Sequence, residues 1–426
     1  RRTENRHLFQ RMKRGLESVR DTPHKRVLLA AYLIGAVLVW LFRAYLFNLD
    51  TYGMFSPVLE AVINLLLPLY AMGGLLAVLV LLGTPWGGKA AKEGLQKVGL
   101  VNHAGEAPPL IAKRQDTDNP RLTVWEFDPC GIPLGEKEDK RARIETALNI
   151  TIAKMTWAEG RKIIRVYSAP AESDFPALLP WKDKYLSPDN FVLVLGESLT
   201  GPVTVNLKNI PHILLGGSTG SGKSVLLKLL LMQALRKGAE VYIADFKGGV
   251  DFPKVWRQKC HMCFQEDTLL YVLGQLVGVL EARKKWFDDA GCKDLDAFNE
   301  ATGEGLPRLV FACDEVAELL DRTGRSKEDK ERLNQIENML ATLARLGRAF
   351  GIHLILATQR PDANFLPGQI KNNMDFRVCG RAESVLSGII LNNTSAAEQI
   401  PKDARGRFIT GDGTVFQGSL FDEARL

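Results

Sequence analysis

The stretch HILLGGSTGSGKSVLLKLLL, residues 212–231, constrains this chain more than any other. A short apolar run stops at two glycines, a turn of small residues follows, and Lys223 opens an apolar helical segment. Gly217, Gly222, Lys223 and Ser224 fit the spacing G-x-x-x-x-G-K-[ST], with a strand before and a helix after. Glycines at those places let backbone N–H groups turn inward around phosphates, and the positive end of the next helix adds to the anion site. Gly217, Ser218, Thr219, Gly220, Ser221, Gly222, Lys223, Ser224 and Val225 are therefore the expected contacts of a nucleoside triphosphate. Lys223 would reach the β- and γ-phosphates and the Ser224 hydroxyl would bind Mg2+. The helix is expected over 223–236, with Gly238 ending it.

Around this loop the chain alternates. From Phe191 the runs FVLVLGE, HILLGG, EVYIADF, RLVFACDE, HLILATQ, FRVCG and GRFIT read as strands, with helical segments between them. That order predicts an α/β fold with a mostly parallel sheet, helices on both faces and a ligand at the carboxyl ends of the strands. RLVFACDE ends in two acids. Asp314 is expected to hold the Mg2+ shell, and Glu315 to polarise the attacking water. HLILATQ ends in Thr358-Gln359, and Gln359 suits a residue that senses the γ-phosphate or orients water.

Charge is spread unevenly along the chain. VLLAAYLIGAVLVWLFRAYLF, residues 27–47, is long enough to cross a hydrocarbon layer, and Arg43 lies near enough to its end to reach the headgroups. A second apolar stretch runs over 56–83, and its part from Leu65 to Gly83 carries no charge. Pro68 and Gly73-Gly74 within it are tolerable where neighbouring helices satisfy the loosened backbone. Residues 1–26 hold nine Arg or Lys against three acids, whereas the connection NLDTYGMFS has no Arg or Lys. The positive-inside rule then predicts two transmembrane helices in the cell membrane, with both chain ends in the cytoplasm. The first residue is Arg1 and not Met, so the sequence leaves open whether further residues precede it. Six cysteines in such a chain are expected to be free thiols. CHMC, residues 260–263, has the spacing of half a zinc site or a redox pair, but no second pair matches it and a buried structural role is the expectation.

Five segments result: a basic cytoplasmic segment 1–26, transmembrane helices 27–47 and 56–83, a linker with a small α/β domain over 87–190, and a motor domain over 191–426. In the small domain, residues 87–121 read as a linker, LTVWEFD as a strand, 137–155 as a helix and KIIRVYSAP as a strand. A Pro-rich junction, PALLPWKDKYLSPDN, precedes the motor.

From about Phe191 to Thr410 the chain resembles the FtsK/SpoIIIE DNA-translocase motors. PHILLGGSTGSGKSV, VYIADFKGG, LEARKKWFDDAGCKDLDAFNE, LVFACDEVAELL and LARLGRAFGIHLILATQRPDANFLPGQIKNNMDFRV carry the resemblance. It implies a RecA-like P-loop ATPase that uses ATP and Mg2+ and assembles as a homo-hexameric ring around DNA. It also implies an Arg from the neighbouring subunit in each ATP site, for which Arg345, Arg348, Arg377 and Arg381 are candidates. Motors of that family as a rule carry more membrane spans and a carboxyl-terminal winged-helix reader, whereas this sequence stops at Leu426. Two spans, a small α/β unit and a bare motor are more similar to the FtsK-like coupling proteins of Gram-positive conjugative elements. Expected partners are then DNA, single- or double-stranded, the membrane, a relaxase and conjugation-channel proteins. Chromosome translocation and type VII protein export are the alternatives that the same motor fold allows. A net charge of +6 permits nucleic-acid binding without arguing for it. Pore loops that read phosphates would make DNA binding salt-dependent and weakly sequence-specific, with Lys247 in DFKGGVDF either a contact of that kind or part of a plain turn.

Overall fold

The computed structural model describes residues 23–47, 56–117, 119–135, 140–158, 162–171, 175–360 and 366–426, and positions 12, 15, 16, 19, 20 and 160 besides. Most of the basic segment 1–26, the connection 48–55 and residues 361–365 of the RPDANFLP stretch lie outside the described residues. The chain divides into two compact units, Arg1–Ser173 and Asp174–Leu426.

In the first unit, α1 (Pro23–Leu41) is followed by one further helical turn, Arg43–Leu46, and then by α2 (Ser56–Leu82). Two helices, Pro23–Leu41 and Pro57–Leu82, are long and apolar enough to cross a membrane. They pair antiparallel. The Lys25 ammonium donates to the Leu82 carbonyl at 2.8 Å, the Tyr32 hydroxyl to the Ala71 carbonyl at 2.6 Å, and Arg43 Nε to Asn64 Oδ1 at 2.8 Å. Gly74 is what lets Tyr32 in, because a Cβ there would stand 2.3 Å from the phenolic oxygen.

The rest of the unit is a small α/β fold. Strands β1 (Leu110–Gln115), β2 (Thr123–Phe127), β3 (Ile150–Ala158) and β4 (Ile163–Pro170) make an antiparallel sheet in the order β1-β2-β4-β3. Helices α3 (Gly88–Lys97) and α4 (Arg141–Leu148) close its core, where Ala91, Leu95 and Ile144 pack with Trp125, Phe127, Ile152 and Ile164. Two expectations change here. Residues 87–121 are more than a linker, since they supply α3 and β1. The helix expected over 137–155 is described from Arg141 and stops at Leu148. Asn149 then turns left-handed, with φ 51°, a conformation that Asn tolerates better than most residues. The following ITIAKMTWA carries β-branched residues in alternation and pairs with β4.

The second unit is built on one large sheet. Its strands are β5 (Leu179–Pro180), β6 (Val192–Ser198), β7 (Gly201–Asn206), β8 (Ile213–Gly216), β9 (Glu240–Ala244), β10 (His261–Cys263), β11 (Leu309–Cys313), β12 (Ile352–Thr358), β13 (Phe376–Gly380), β14 (Arg407–Thr410) and β15 (Val415–Leu420). They lie in the order β10-β9-β11-β12-β8-β13-β14-β15-β6-β7, with β5 added beside β15. From β10 to β13 the strands are parallel; β14, β15, β6 and β7 continue the sheet antiparallel. Residues 174–190 fall in this unit, because Leu179-Pro180 pairs with β15 and Asp183 bonds Arg236 at 2.6 Å.

Helices cover both faces. Helix α5 (Lys223–Arg236) is buried nearly all round, its leucines packed against β6, β7 and Trp256 on one face. It ends where Gly238 is expected to stop it. On the other face α6 (Glu266–Asp289), α8 (Lys327–Leu346) and α9 (Ser384–Leu391) pack on Phe311, Leu354 and Leu356, while α7 (Leu295–Thr302) makes a smaller cluster with Phe287. A capping box starts α8, the Ser326 hydroxyl accepting from the Asp329 N–H and the Asp329 carboxylate accepting from the Ser326 N–H. Cys260 and Cys263 are split by β10 between the two faces, in different hydrophobic clusters, so they cannot share one metal. Burial pushes their thiols up, to about 12 and about 11, so both stay neutral at physiological pH.

Candidate functional site

Five neighbouring parallel strands, β9, β11, β12, β8 and β13, end side by side, and the residue after or at each end enters one site. These are Asp245, Asp314, Thr358, Gly217 and Arg381. The apolar strands are buried on both faces, so the first polar residue beyond each is where the chain meets solvent and ligand.

Beyond β8 the loop has little freedom. Gly217 has φ 155°, and a Cβ there would stand 2.5 Å from Ser221 Oγ. Gly222 has φ 99°, with a Cβ meeting the Gly406 backbone at 3.1 Å. Neighbouring strands brace the loop: the Ser218 N–H donates to the Arg381 carbonyl at 2.8 Å, and the Gly406 N–H to the Ser221 carbonyl at 2.9 Å. Arg381 itself reaches back, its Nη2 donating to the Thr219 carbonyl at 2.7 Å. Val225, the last residue of the motif, is exposed on α5.

Behind the loop the charges converge on Asp314, which is only 2% exposed. Lys223 Nζ donates to Asp314 Oδ1 and to its carbonyl, both at 2.6 Å. The Ser224 hydroxyl lies 3.0 and 3.1 Å from the two carboxylate oxygens. Lys247 Nζ adds a third donor at 3.3 Å from Oδ2. Burial works to raise the Asp314 pKa, but the charges of Lys223 and Lys247 and the bonds from Lys223 and Ser224 outweigh it and hold the carboxyl below the ordinary range. Asp245, just after β9, has only the Lys247 N–H on Oδ1 at 3.0 Å and the Lys247 charge in its support, and burial outweighs them and pushes its pKa upward.

Glu315 is oriented by β12. The buried Thr358 hydroxyl donates to Oε1 at 2.7 Å and the Gln359 N–H to Oε2 at 3.0 Å. The Gln359 side chain faces the loop, its Oε1 accepting from the Thr219 hydroxyl at 3.0 Å. Loop, acidic pair and Gln359 are thus one hydrogen-bonded constellation.

The four Arg candidates scatter. Arg381 stands at the loop of its own chain. Arg348 sits at the amino ends of the strands, before β12, its Nε donating to the Lys208 carbonyl at 3.3 Å. A seven-residue strand separates it from the phosphate end by on the order of 20 Å. Arg377 is turned onto the Met374 and Lys371 carbonyls at 2.9 and 3.0 Å, and Arg345 is exposed in the last turn of α8.

The donor set fits a Mg2+–nucleotide. The glycine cradle leaves no room for side chains, and the buried Ser221 hydroxyl has no hydrogen-bond partner. Ser224 and Asp314 stand together as an oxygen pair of the kind that binds Mg2+ beside phosphates. Among the described residues no group of three or more His, Cys, Asp or Glu is placed to hold a metal alone. The sequence alone points to Thr358-Gln359 but not to Asp245, and offers Lys247 as a DNA contact or as part of a plain turn. The available signal was VYIAD, an apolar strand ending in an acid just as LVFACD does.

Known proteins resemble this chain in sequence and fold. The FtsK/SpoIIIE family profile matches residues 182–363. The structure of the pCW3 conjugation coupling protein TcpA, in its monomer form with ATPγS, is 35% identical with a TM-score of 0.59, covering 79% of this chain and 96% of that one. DNA translocase SftA of Bacillus subtilis (strain 168) is 32% identical over 218 residues, 48% of this chain and 22% of SftA. DNA translocase FtsK of Helicobacter pylori (strain J99) is 28% identical over 222 residues, 49% of this chain and 25% of FtsK. The chain thus spans a quarter or less of these two curated relatives. With the family profile matched across the phosphate loop and the strands around it, and with 96% of the solved TcpA chain covered at 35% identity, the chain belongs to the FtsK/SpoIIIE family.

Proposed function

We propose that this chain is a membrane-anchored, ATP-driven DNA translocase that works as a coupling protein, delivering DNA to a conjugative transfer channel. The observation that carries this reading is the extent of the likeness to the TcpA structure, which covers 79% of this chain, whereas SftA and FtsK match over about half of it. Apolar helices α1 and α2 supply the membrane anchor, with both chain ends on the cytoplasmic side.

In this mechanism Gly217–Ser224 wrap the phosphates with backbone N–H groups, and Lys223 moves from Asp314 to the β- and γ-phosphates. Ser224 and Asp314 would hold Mg2+, which when bound neutralises charge developing on the phosphoryl oxygens. Glu315, held by Thr358 and the Gln359 N–H, takes the proton of the attacking water. Gln359 links that water to the phosphate loop through Thr219. Subunits assemble as a homo-hexameric ring on DNA, and Arg348 enters the neighbour's site. Its position, remote from the loop of its own chain, supports this choice over Arg381.

ATPase activity of the full chain in detergent, without DNA, with single-stranded DNA and with duplex, tests the reading, with Lys223→Ala as the blank. Stimulation of about tenfold or more by one DNA form, lost in the blank, is the expected result. A preference for single strands favours the conjugative role, and a preference for duplex favours chromosome translocation. Activity indifferent to both forms overturns the DNA cargo.

A further inference from the structure

Lys247 has no part in the phosphate-loop motif, yet its ammonium lies 3.3 Å from Asp314 Oδ2. Three features make that bond exchangeable. First, Lys247 has a second acceptor close by, Asp251 Oδ2 at 3.5 Å. Second, the register pairs Ala244 with Cys313, so Asp245 and Asp314 stand abreast. The Asp245 side chain is 3% exposed, and its Oδ2 is buried with no hydrogen-bond partner. Third, Lys247 sits on the turn FKGGVDF, where Gly248 and Gly249 have φ 75° and 79° and Val250 is 83% exposed. The other cation on Asp314, Lys223, is rooted in α5 and bonded to Oδ1 and the carbonyl, and in the mechanism above it leaves for the phosphates.

We propose that Lys247 is a positioning residue that occupies Asp314 Oδ2 and yields that oxygen to the divalent metal of the nucleotide. The inference rests on the nucleotide reading above and deepens it. An ammonium within hydrogen-bond distance of Oδ2 repels a divalent ion bound to the same oxygen, so ion and lysine compete. On release the ammonium has Asp251 within reach, and Asp245 Oδ2 supplies a further carboxylate beside the site. Asp314 Oδ2 is not left unpaired, since the metal takes the oxygen that the ammonium gives up. Lys247 therefore keeps Asp314 charged and aimed at Ser224 before the ion arrives, and it sets how much Mg2+ is needed to load the site.

The test is fluorescent-ATP binding to the full chain in detergent, titrated with Mg2+, for wild type, Lys247→Gln and Lys247→Arg. Lys247→Gln removes the competing charge with little change in length, and the half-saturating Mg2+ is expected to fall about three- to tenfold. Lys247→Arg keeps the charge and is expected to stay within about twofold of wild type. An unchanged or raised Mg2+ requirement in Lys247→Gln, with a thermal midpoint like that of wild type, overturns the proposal. Should Lys247→Gln be unstable, the charge-retaining Lys247→Arg still decides: an Mg2+ requirement shifted as far as that of Lys223→Ala assigns Lys247 to phosphate binding and rejects competition. Failure of the underlying reading looks different. Wild-type binding would then be indifferent to Mg2+ or would survive Lys223→Ala.

Discussion

Arg381 and Arg348 stand at opposite ends of the same sheet, and position separates roles that residue type leaves equal. Arg381 braces its own phosphate loop through the Thr219 carbonyl and is tied to the Lys402 carbonyl at 2.6 Å. In the proposed ring it acts in cis and Arg348 in trans. Mixing inactive subunits distinguishes the two. Lys223→Ala mixed with Arg348→Ala is expected to recover part of the DNA-stimulated ATPase, because some interfaces join an intact loop to an intact Arg348. Lys223→Ala mixed with Arg381→Ala recovers none by that route, since both defects lie in the same loop. Recovery in the second mixture but not the first would reverse the assignment. The residue scale is also where sequence reading was weakest. Asp245 became a site residue only when β9 was set beside β11, and the bond of Thr358 to Glu315 emerged only when β12 was.

Among the elements, α6 carries the clearest signature of a segment whose pattern was legible before its reason was. Within LEARKKWFDD, Arg283 is 3% exposed and faces inward. Its Nη1 donates to the Phe350 carbonyl and its Nη2 to the Pro307 carbonyl, both at 2.6 Å. Helix α6 thereby pins the two connections that feed β11 and β12, the strands bearing Asp314-Glu315 and Thr358-Gln359. Burial lowers the Arg283 pKa to about 10, which leaves the side chain charged at neutral pH. Arg283→Met would fill the space but strand both carbonyls, at a cost of about 2–4 kcal/mol. Arg283→Lys lacks the fork and recovers only part of that. Urea midpoints of the three proteins measure this, and a loss under about 0.5 kcal/mol would reject the pin.

On the scale of the whole molecule, the second unit buries two histidines at the amino ends of its strands. His212 accepts from the Leu354 N–H through Nδ1, and His353 lies between the Pro211 carbonyl and Arg308 Nη1. Burial lowers the His212 pKa to about 4, and burial with the Arg308 charge lowers that of His353 well below its usual 6.5. Folded chains hold both neutral, whereas unfolded chains protonate them below about 6.5. The unfolded state then binds more protons, so stability is full above pH 6.5 and falls on acidification toward about 4. His212 contributes about 1.4 kcal/mol per pH unit within that window, and His353 adds to the decline in the same direction. Urea midpoints at pH 7.5 and 5.0 should show the decline, and His212→Asn with His353→Asn should flatten it. An equally steep decline in that double variant would move the cause to the carboxylates.

Much of this protein was determined locally, and locally coded features survive into the structure. The phosphate loop, the acidic pair, the two apolar helices and the strand-helix alternation of the motor depend on short-range spacing, glycine conformation and the run length of apolar residues. Each is a property of a few consecutive residues. What only the tertiary structure decided is which strand ends are neighbours, because pairing in a parallel sheet joins segments tens of residues apart. That pairing put Asp245 and Lys247 beside Asp314, set Thr358 under Glu315 and left Arg348 at the far edge. It also extended the sheet antiparallel through β14, β15 and β6, joining a strand from before the phosphate loop to the last strand of the chain. The turn of β3 away from α4 at Asn149 was settled the same way: pairing with β4 outweighed the helical pattern of the residues before it.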